Sequence, residues 1–470
     1  MPSFWRRSIV TGCAIGLLSS CNARPVTRTI TPQPCVAPWT DPAARCGTMS
    51  VPENRAVRGG RTIDIAFTIL PKAAGAPAAD PVVLLAGGPG SSSGGLADLA
   101  RVLEPVRARR DLVLVDLRGT GASHPLDCPL EIAARPTLAF GHVFDPESVR
   151  QCRMELEKTS DLSQYTTTRT IEDLDELRTA LGYGRVLLWG GSYGTRMALT
   201  YMQQFPDRVA AAVLDSVAPP DIASPLSFAR TLDRSIQGAF ARCAQQPGCH
   251  AEVPAPDEDL RRVMTQLAQG PMPATVTAPN GPPLSVRMTA GDFGYAVRGI
   301  LYGSNGSRDL PGMVHRAAMV GDLSEFAQRY WRRAVNFTNG FSLGLHLAMV
   351  CAEDVPQVTE EDIVRETSGT LLGRYLIDEY RQACVQMGVP ALTRVRTLAP
   401  RQIPTLLVSG ELDPVTPPSF AERTAESLPI SRLLVAPSAG HGVSGSCVKP
   451  AVLHVLTTGT LEGLPSGCTP

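Results

Sequence analysis

The apolar residues of this chain fall into two patterns that alternate along most of its length. The first pattern occurs in seven short segments, and most of these are continuous apolar runs. The segments lie at 61–70, 81–86, 111–116, 185–189, 209–215, 405–409 and 432–436. Such runs are typical of strands in a parallel sheet that is covered on both faces. Helical patterns lie between several of them. Strands that alternate with helices predict an α/β fold with a mostly parallel central sheet.

The clearest helical pattern covers 170–181, where apolar residues recur on one face. We expect Thr170 and Asp173 to form a capping box at its start, and Gly182 to end it.

The alternation stops between Pro219 and Pro404. Amphipathic helices are predicted there, with one hairpin around Asn280 and Gly281; the helices cover 225–243, 257–269, 322–335 and 372–387. A helical insertion between two late strands would lie over the carboxyl ends of the sheet as a lid. The predicted divisions are a tether and lead-in at 21–50, a core at 51–220, a helical lid at 221–400 and a second core part at 401–470.

The first twenty residues form a separate segment. Arg6 and Arg7 precede an apolar run at 9–18, which is typical of a signal peptide. The following Leu18-Ser19-Ser20-Cys21 resembles the bacterial lipobox, in which the cysteine is lipidated. The alternative is an ordinary signal with a chance cysteine. We expect export to the bacterial cell envelope, periplasmic or outer-surface side, with membrane attachment only through Cys21, because no apolar run reaches eighteen residues.

The cysteines fit an oxidising compartment. Of the 12 cysteines, Cys13 would leave with the signal and Cys21 would carry lipid, and the remaining even number favours disulfides. Sequence alone cannot choose among the connectivities. Successive pairing is the simplest hypothesis: Cys35–Cys46, Cys128–Cys152, Cys243–Cys249, Cys351–Cys384 and Cys447–Cys468. No Cys-x-x-Cys occurs and the histidines do not cluster with cysteines, so no metal site is predicted.

The length and net charge of the chain limit the classes of function that it can have. The 470 residues, 43% hydrophobic, can bury a large core in one big domain or two smaller ones. The formal net charge is zero, so nothing indicates a nucleic-acid partner.

A possible nucleophile lies between the strand at 185–189 and a helical pattern that ends at Phe205. Gly190-Gly191-Ser192-Tyr193-Gly194 fits the Gly-x-Ser-x-Gly elbow, which exposes a serine hydroxyl at a strand tip. The segment 90–94 also fits, but no apolar-periodic helix follows it. We therefore predict Ser192 as the nucleophile and interpret Ser92 as part of a loop.

A glycine-rich segment fits the same chemistry. The glycine-rich segment 87–90 follows a strand, and its Gly88 region could join the backbone N–H of Tyr193 in stabilising an oxyanion. An ordinary Gly/Pro turn is the alternative reading.

The remaining partners are an acid and a histidine. Asp413 and Glu411 follow a strand, and we favour Asp413 as the acid that orients the base. His441 lies between glycines after the last strand. The order Ser192, Asp413, His441 is that of α/β-hydrolases.

Five motifs together carry a family resemblance, at 87–90, 116–121, 189–195, around Asp413 and at 439–442. They resemble the exported branch of the prolyl aminopeptidase/tripeptidyl aminopeptidase family of α/β-hydrolases, and the later part of the chain resembles its TAP-like C-terminal region. Leu117 departs from the glutamine usual in that family. The resemblance implies a serine exopeptidase that acts on peptide N-termini without a cofactor. We expect Asp116 and Arg118 to brace the loop behind the site.

An aminopeptidase must bind the substrate's protonated amine, and a desolvated ammonium needs carboxylate partners. The resemblance places such acids in the lid, where Glu353 and Asp354 are the candidates, with Glu411 as an alternative. A solvated acidic helix end is the other interpretation of Glu353 and Asp354.

Two other functions stay open. An esterase or lipase would use the same scaffold and the same chemistry, since the fold does not name the leaving group. A lipid-anchored binding protein with a dead site is the non-enzymatic alternative, and the intact order of the three residues argues against it.

Overall fold

The structure is a computed structural model. It describes residues 30, 32–35, 41–77, 79–128, 136–278, 281–338, 340–392, 398–399, 401–465 and 468. The predicted signal peptide, the lipidation site Cys21 and the predicted turn residue Asn280 lie outside the described residues. No helix in the described ranges is both long enough and apolar enough to cross a membrane.

A central sheet organises the chain. The described strands are β1 Gln33–Pro34, β2 Arg45–Pro52, β3 Thr62–Leu70, β4 Val82–Leu85, β5 Leu112–Val115, β6 Val186–Gly191, β7 Val209–Asp215, β8 Met272–Thr277, β9 Pro283–Met288, β10 Thr405–Gly410 and β11 Ser431–Ala436. Nine of them form one sheet in the order β1-β2-β3-β5-β4-β6-β7-β10-β11. The six from β5 to β11 are parallel, and β1 to β3 are antiparallel at one edge.

Five of the six parallel strands, β4 to β7 and β10, are buried on both faces, as their sequences predict, whereas the edge strand β11 is only partly buried. In β4, Val83 and Leu85 belong to one apolar cluster, whereas Val82 and Leu84 belong to the other. Because side chains alternate across a strand, these two clusters lie on opposite sides of the sheet. β4 and β6 are neighbours at the point where the strand order reverses, and ligands of open α/β sheets bind outside the carboxyl ends of the strands there.

Helices cover the sheet and form the insertion. They are α1 Ala97–Val102, α2 Pro146–Leu156, α3 Thr167–Ala180, α4 Tyr193–Gln204, α5 Ser224–Gln245, α6 Pro247–Glu252, α7 Pro256–Ala268, α8 Ala290–Tyr302, α9 Gly306–Val320, α10 Ser324–Thr338, α11 Leu343–Glu353, α12 Glu360–Thr367, α13 Tyr375–Met387, α14 Pro418–Ala425 and α15 Lys449–Thr458. Helices α5 to α13 and the hairpin β8–β9 lie between β7 and β10 in the chain. We call this segment the lid.

One local prediction is wrong, and one strand was not predicted. The strand that was not predicted is β2, which begins at Arg45 in the lead-in and pairs with β3 along its whole length. The helix predicted from Thr170 begins at Thr167, and its cap is Thr166, whose hydroxyl accepts from the Arg169 N–H. Asp173 is therefore inside the helix rather than in a capping box.

The disulfides follow the simplest connectivity. Successive pairing is confirmed in all five cases: Cys35–Cys46, Cys128–Cys152, Cys243–Cys249, Cys351–Cys384 and Cys447–Cys468. The fourth bridge joins α11 to α13 within the lid.

Candidate active site

Ser192 lies at the turn between β6 and α4. Its backbone has φ 56° and ψ −124°, a conformation that non-glycine residues rarely adopt. A Cβ at Gly194 would lie 2.1 Å from the carbonyl oxygen of Leu85, and one at Gly190 would lie 2.5 Å from that of Gly194. Only glycine fits at these two positions. The backbone therefore has the strained geometry of a nucleophile elbow, which holds the serine at the tip of the strand.

The second Gly-x-Ser-x-Gly segment has a different conformation. Ser92 has φ −76° and ψ 164°, which is ordinary extended backbone, and it precedes a short helical turn at Ser93–Leu96. It shows none of the strain found at Ser192.

Asp413 and His441 form a hydrogen-bonded pair. The Oδ2 of Asp413 lies 2.7 Å from Nδ1 of His441, and Asp413 is fully buried. Its Oδ1 accepts from the N–H groups of Val415 and Thr416, at 2.8 and 2.9 Å. The Thr416 hydroxyl donates to Oδ2 at 2.8 Å. Three hydrogen bonds from Val415 and Thr416 thus hold the Asp413 carboxylate in position beside His441.

This environment keeps Asp413 ionised. Burial alone would raise the pKa of its carboxyl, but His441 and the backbone donors outweigh burial and hold the pKa below its ordinary value. An ionised Asp413 accepts the Nδ1 proton and leaves Nε2 as the ring's free nitrogen. In the described part of the chain, Nε2 of His441 is buried and has no hydrogen-bond partner. It can act as a base.

The loop that carries His441 is held by the sheet and the lid. The His441 N–H donates to the carbonyl of Tyr302, whose ring centroid lies 4.4 Å from the imidazole. Asp215, at the end of β7, accepts from the N–H groups of Val443 and Ser444 at 2.7–3.0 Å. Sequence reasoning missed Asp215 as a support for this loop, although an acid at a strand end was the available signal.

The glycine loop, residues 87–90, lies directly beside the serine. A Cβ at Gly87 would come within 2.9 Å of the Ser192 Cβ. The lid holds the other side of the loop, since the Ser342 N–H donates to the carbonyl of Gly90 at 2.8 Å. Phe341 packs against the loop, 3.0 Å from where a Cβ at Gly88 would lie. Glycine is needed for these close approaches.

His346 of α11 also contacts this loop. Its Nδ1 lies 3.0 Å from the carbonyl oxygen of Pro89, and its Nε2 lies 2.8 Å from the hydroxyl of Tyr380. Burial lowers the pKa of His346 to about 4, so the ring is neutral at pH 7. It donates to Pro89 and accepts from Tyr380.

One cavity of about 1230 Å³ joins these groups. Ser192, His441, Gly88 and Tyr193 all line it, together with residues of α5, α8, α10 and α11. Tyr193 is the first residue of α4, where a helix leaves backbone N–H groups without an internal partner. The described residues hold no group of three or more His, Cys, Asp or Glu side chains suited to bind a metal ion.

The three acids predicted to bind an amine are placed differently. The carboxylate of Glu353 accepts hydrogen bonds from the N–H and the hydroxyl of Thr167, at 2.7 and 2.6 Å. Glu353 is not among the residues that line the cavity. Glu411 is exposed and accepts from the Ser438 N–H. Asp354 lines the cavity and is buried with Arg196 at 3.0 Å. The structure therefore brings only Asp354, of these three, to the cavity.

Asp116 and Arg118 brace the loop that follows β5. Arg118 is fully buried and makes two hydrogen bonds to the carboxylate of Asp173, at 2.6 and 2.8 Å. Asp116 accepts from the N–H groups of Ser93 and Ala122. Neither residue lines the cavity, which is the structural role expected from the sequence.

A serine at a strained strand-to-helix turn, sharing a cavity with a histidine that an aspartate orients, is the arrangement that α/β-hydrolases use. Residues 80–251 match the family model of the α/β-hydrolase fold, and residues 370–468 match the model of the TAP-like proteins. The chain is thus a hydrolase of this fold.

Three named proteins are similar in sequence to this chain. Serine protease Hip1 of Mycobacterium tuberculosis is 28% identical over 471 residues, covering 90% of this chain and 86% of that protein. Tripeptidyl aminopeptidase of Streptomyces lividans is 32% identical over 204 residues, covering 40% of this chain and 38% of its own. A probable proline iminopeptidase of Streptomyces coelicolor is 32% identical over 202 residues, covering 43% and 51%. The two family models and these relatives support the prolyl aminopeptidase/tripeptidyl aminopeptidase family of α/β-hydrolases.

Proposed function

We propose that the protein is an exported serine aminopeptidase that releases N-terminal residues or short peptides by acyl transfer. One observation carries the proposal: Asp413 orients His441 so that an unpaired Nε2 is left in the cavity that Ser192 also lines. A serine hydrolase needs a base that an acid orients and whose free nitrogen can take the proton of the serine hydroxyl.

In the proposed mechanism, Ser192 Oγ attacks the scissile carbonyl carbon while Nε2 of His441 takes the hydroxyl proton. His441 then gives this proton to the leaving amine, which departs as an acyl-enzyme forms. A water molecule, deprotonated by the same nitrogen, attacks the ester and restores Ser192. Asp413 stabilises the imidazolium in both steps. The backbone N–H groups of Tyr193 and Gly88 are the proposed donors to the oxyanion.

Two features support a peptide substrate. The relatives above are named as a serine protease, a tripeptidyl aminopeptidase and a probable proline iminopeptidase. The cavity of about 1230 Å³ exceeds the ~300–1,000 Å³ usual for small-ligand pockets. It has room for several residues of an extended peptide.

Export is supported by two features. The five disulfides are typical of proteins in oxidising compartments. The signal pattern at 1–20 would direct the chain out of the cytoplasm, with Cys21 as the proposed lipid anchor.

Asp354 is the proposed partner of the substrate's amine. It is buried at the cavity, and Arg196 fixes its carboxylate through bonds from one nitrogen to both oxygens. An ammonium entering the cavity would find there a desolvated carboxylate, which binds cations strongly. Asp354→Asn should lower kcat/KM for free-amine substrates more than for a small ester that carries no amine.

A substrate panel tests the function. Proline and alanine anilides, tripeptide anilides and short-chain esters would be compared, each peptide with a free and a blocked N-terminus. The proposal expects hydrolysis of free-amine anilides that is lost in Ser192→Ala and reduced by blocking. If only the esters are hydrolysed, the protein is an esterase and the peptidase proposal is refuted. If none of the substrates is hydrolysed, the proposal that the protein is an enzyme is refuted.

A further inference from the structure

Arg298 of α8 is a buried cation in the cavity. It is 8% exposed and lines the same cavity as Ser192 and His441. Its guanidinium carbon lies 4.2 Å from the ring centroid of Phe228 and 5.6 Å from that of Tyr295. Aromatic rings attract the cation, but they do not replace the hydrogen bonds that its N–H groups make in water.

Arg298 has no polar partner in the described part of the chain. Its Nε is buried without a hydrogen bond, and no carboxylate lies within ion-pair distance. The other buried arginines behave differently. Arg118 and Arg196 bind the carboxylates of Asp173 and Asp354. Likewise, Arg110 and Arg178 donate to backbone carbonyls or to Asp175. Arg298 is the exception among them.

A second arginine is close to this position. Arg333 of α10 lies 4.5 Å from the ring centroid of Tyr302, and Tyr302 stacks on His441. A Cβ at Gly299, the residue after Arg298, would lie 2.9 Å from the side chain of Arg333. Arg333 likewise has no ion pair in the described ranges, whereas Arg329 of the same helix pairs with Glu325 and Asp309.

Two neighbouring cations that have no ion pair among the described residues would favour an anion in the cavity. Burial, and then the like charge of Arg333, lower the pKa of Arg298, as expected for a buried cation that has no carboxylate partner among the described residues. A carboxylate is the natural complement, because its two oxygens match the fork of guanidinium donors. A substrate that supplied it would relieve the desolvation of Arg298 on binding.

We propose that Arg298, supported by Arg333, is a carboxylate-binding subsite that selects peptides carrying an acidic group near the scissile bond. This inference rests on the proposed peptidase function and specifies its substrate class. The carboxylate can come from an Asp or Glu side chain on the acyl part, or from the free C-terminus of a short peptide.

The experiment compares matched substrates. One arm uses tripeptide anilides with Glu or Gln at each position before the scissile bond. The other uses tetrapeptides with a free or an amidated C-terminus. We expect at least one pair to differ by about 10- to 100-fold in kcat/KM in favour of the acid, the range of a charge-assisted hydrogen bond.

Variants assign the preference to Arg298. Arg298→Gln should remove the preference while the neutral member of the pair is still hydrolysed, and Arg298→Lys should keep part of it. Arg333→Gln should weaken it less. The matched control is Arg262→Gln, which removes an exposed lid charge from α7 and should leave the ratio unchanged. No preference in the wild type, a preference that survives Arg298→Gln, or equal losses on both members of the pair would overturn the subsite.

A binding measurement covers the case in which Arg298→Gln does not fold. Glutarate and glutaramide would be compared as inhibitors of wild-type hydrolysis of a neutral substrate, or of a small ester if no peptide is cleaved. The subsite predicts that glutarate inhibits at a concentration about 10-fold or more lower, and equal inhibition would refute it. Failure of peptide hydrolysis alone would refute the peptidase function and leave this readout intact.

Discussion

The carboxylate of Glu353 accepts a hydrogen bond from the hydroxyl of Tyr193, at 3.1 Å. Glu353 ends a lid helix and Tyr193 directly follows Ser192, so the lid is tied to the residue whose N–H is the proposed oxyanion donor. Burial, and then the charge of Glu353, raise the pKa of the Tyr193 phenol well above its ordinary value. Tyr193 therefore stays a neutral donor to a carboxylate.

Glu353→Gln should lower the turnover of all substrates equally. The amide replaces one acceptor oxygen with a donor, which faces the N–H and hydroxyl groups of Thr167 and Tyr193. Leaving a buried donor unsatisfied should also cost about 1–3 kcal/mol of unfolding free energy. The measurements are kcat/KM on a free-amine anilide and on a small ester, with urea unfolding. A selective loss on the free amine would show that Glu353, despite its position, binds the amine.

Replacing Ser192 tests the nucleophile directly. Ser192→Ala should lower kcat by about 10⁴- to 10⁶-fold, because the attacking atom is lost. The variant should fold normally, since alanine is smaller and the neighbouring glycines still allow the turn. A serine-reactive phosphonate should label Ser192 in the wild type. Labelling at Ser92, or activity that persists in the variant, would show that the nucleophile is elsewhere.

The parallel strands were predictable because their local sequence and their environment agree. β4 to β7 and β10 are apolar runs that end near predicted positions, since burial on both faces demands apolar residues throughout. The edge strand β11 also ends at its predicted position, although it is only partly buried. β2 was missed because it is an antiparallel strand near the sheet edge, and only Met49 and Val51 of its side chains are buried among apolar residues. The helix α11 is buried along its whole length, so its sequence has no polar face that would reveal a helical period.

The site could also be predicted only in part, because some of its contacts join residues that are far apart in the sequence. Ser192, Asp413 and His441 occur in sequence motifs, because the turn, the loop and the chain order each constrain local residues. Asp173 fits a capping box locally, but Arg118, 55 residues away, determines its actual role. The surroundings of Arg298 are set by side chains from α5, α8 and α10. No local sequence pattern marks an arginine that has no carboxylate partner among the described residues.

His346 should make the protein sensitive to acid. Its pKa is about 4 in the folded protein, against 6.5 in a solvated chain. Between these values the unfolded chain binds a proton that the folded chain does not, so the free energy of unfolding falls as the pH falls from 6.5 towards 4. The full loss should be about 3 kcal/mol, from 1.36 kcal/mol per pKa unit.

Urea unfolding at several pH values checks this. His346→Gln should show a smaller decrease in unfolding free energy over the same pH range. The matched control is His250→Gln, which replaces an exposed histidine of α6. If His346→Gln and the wild type lose stability in parallel, the acid sensitivity belongs to other groups.

The Cys351–Cys384 bridge should contribute more stability than Cys243–Cys249. Their sequence separations are 33 and 6 residues. Because a bridge restricts the unfolded chain more when it closes a longer loop, removing them should cost about 4 and about 2 kcal/mol respectively. Urea unfolding of the two double-alanine variants measures this difference, and equal losses would contradict the loop-length argument.

The same variants should differ in activity. Cys351 lies in α11, which carries His346 and is followed directly by Asp354, and Cys384 lies in α13 with Tyr380. Without the bridge, α11 would be held only by packing and hydrogen bonds, and the glycine loop that His346 contacts would be less firmly placed. We expect kcat/KM to fall in the Cys351→Ala/Cys384→Ala variant even at temperatures where it remains folded. The Cys243→Ala/Cys249→Ala variant should keep its activity, because that bridge closes a short loop between α5 and α6 and neither of its cysteines lines the cavity.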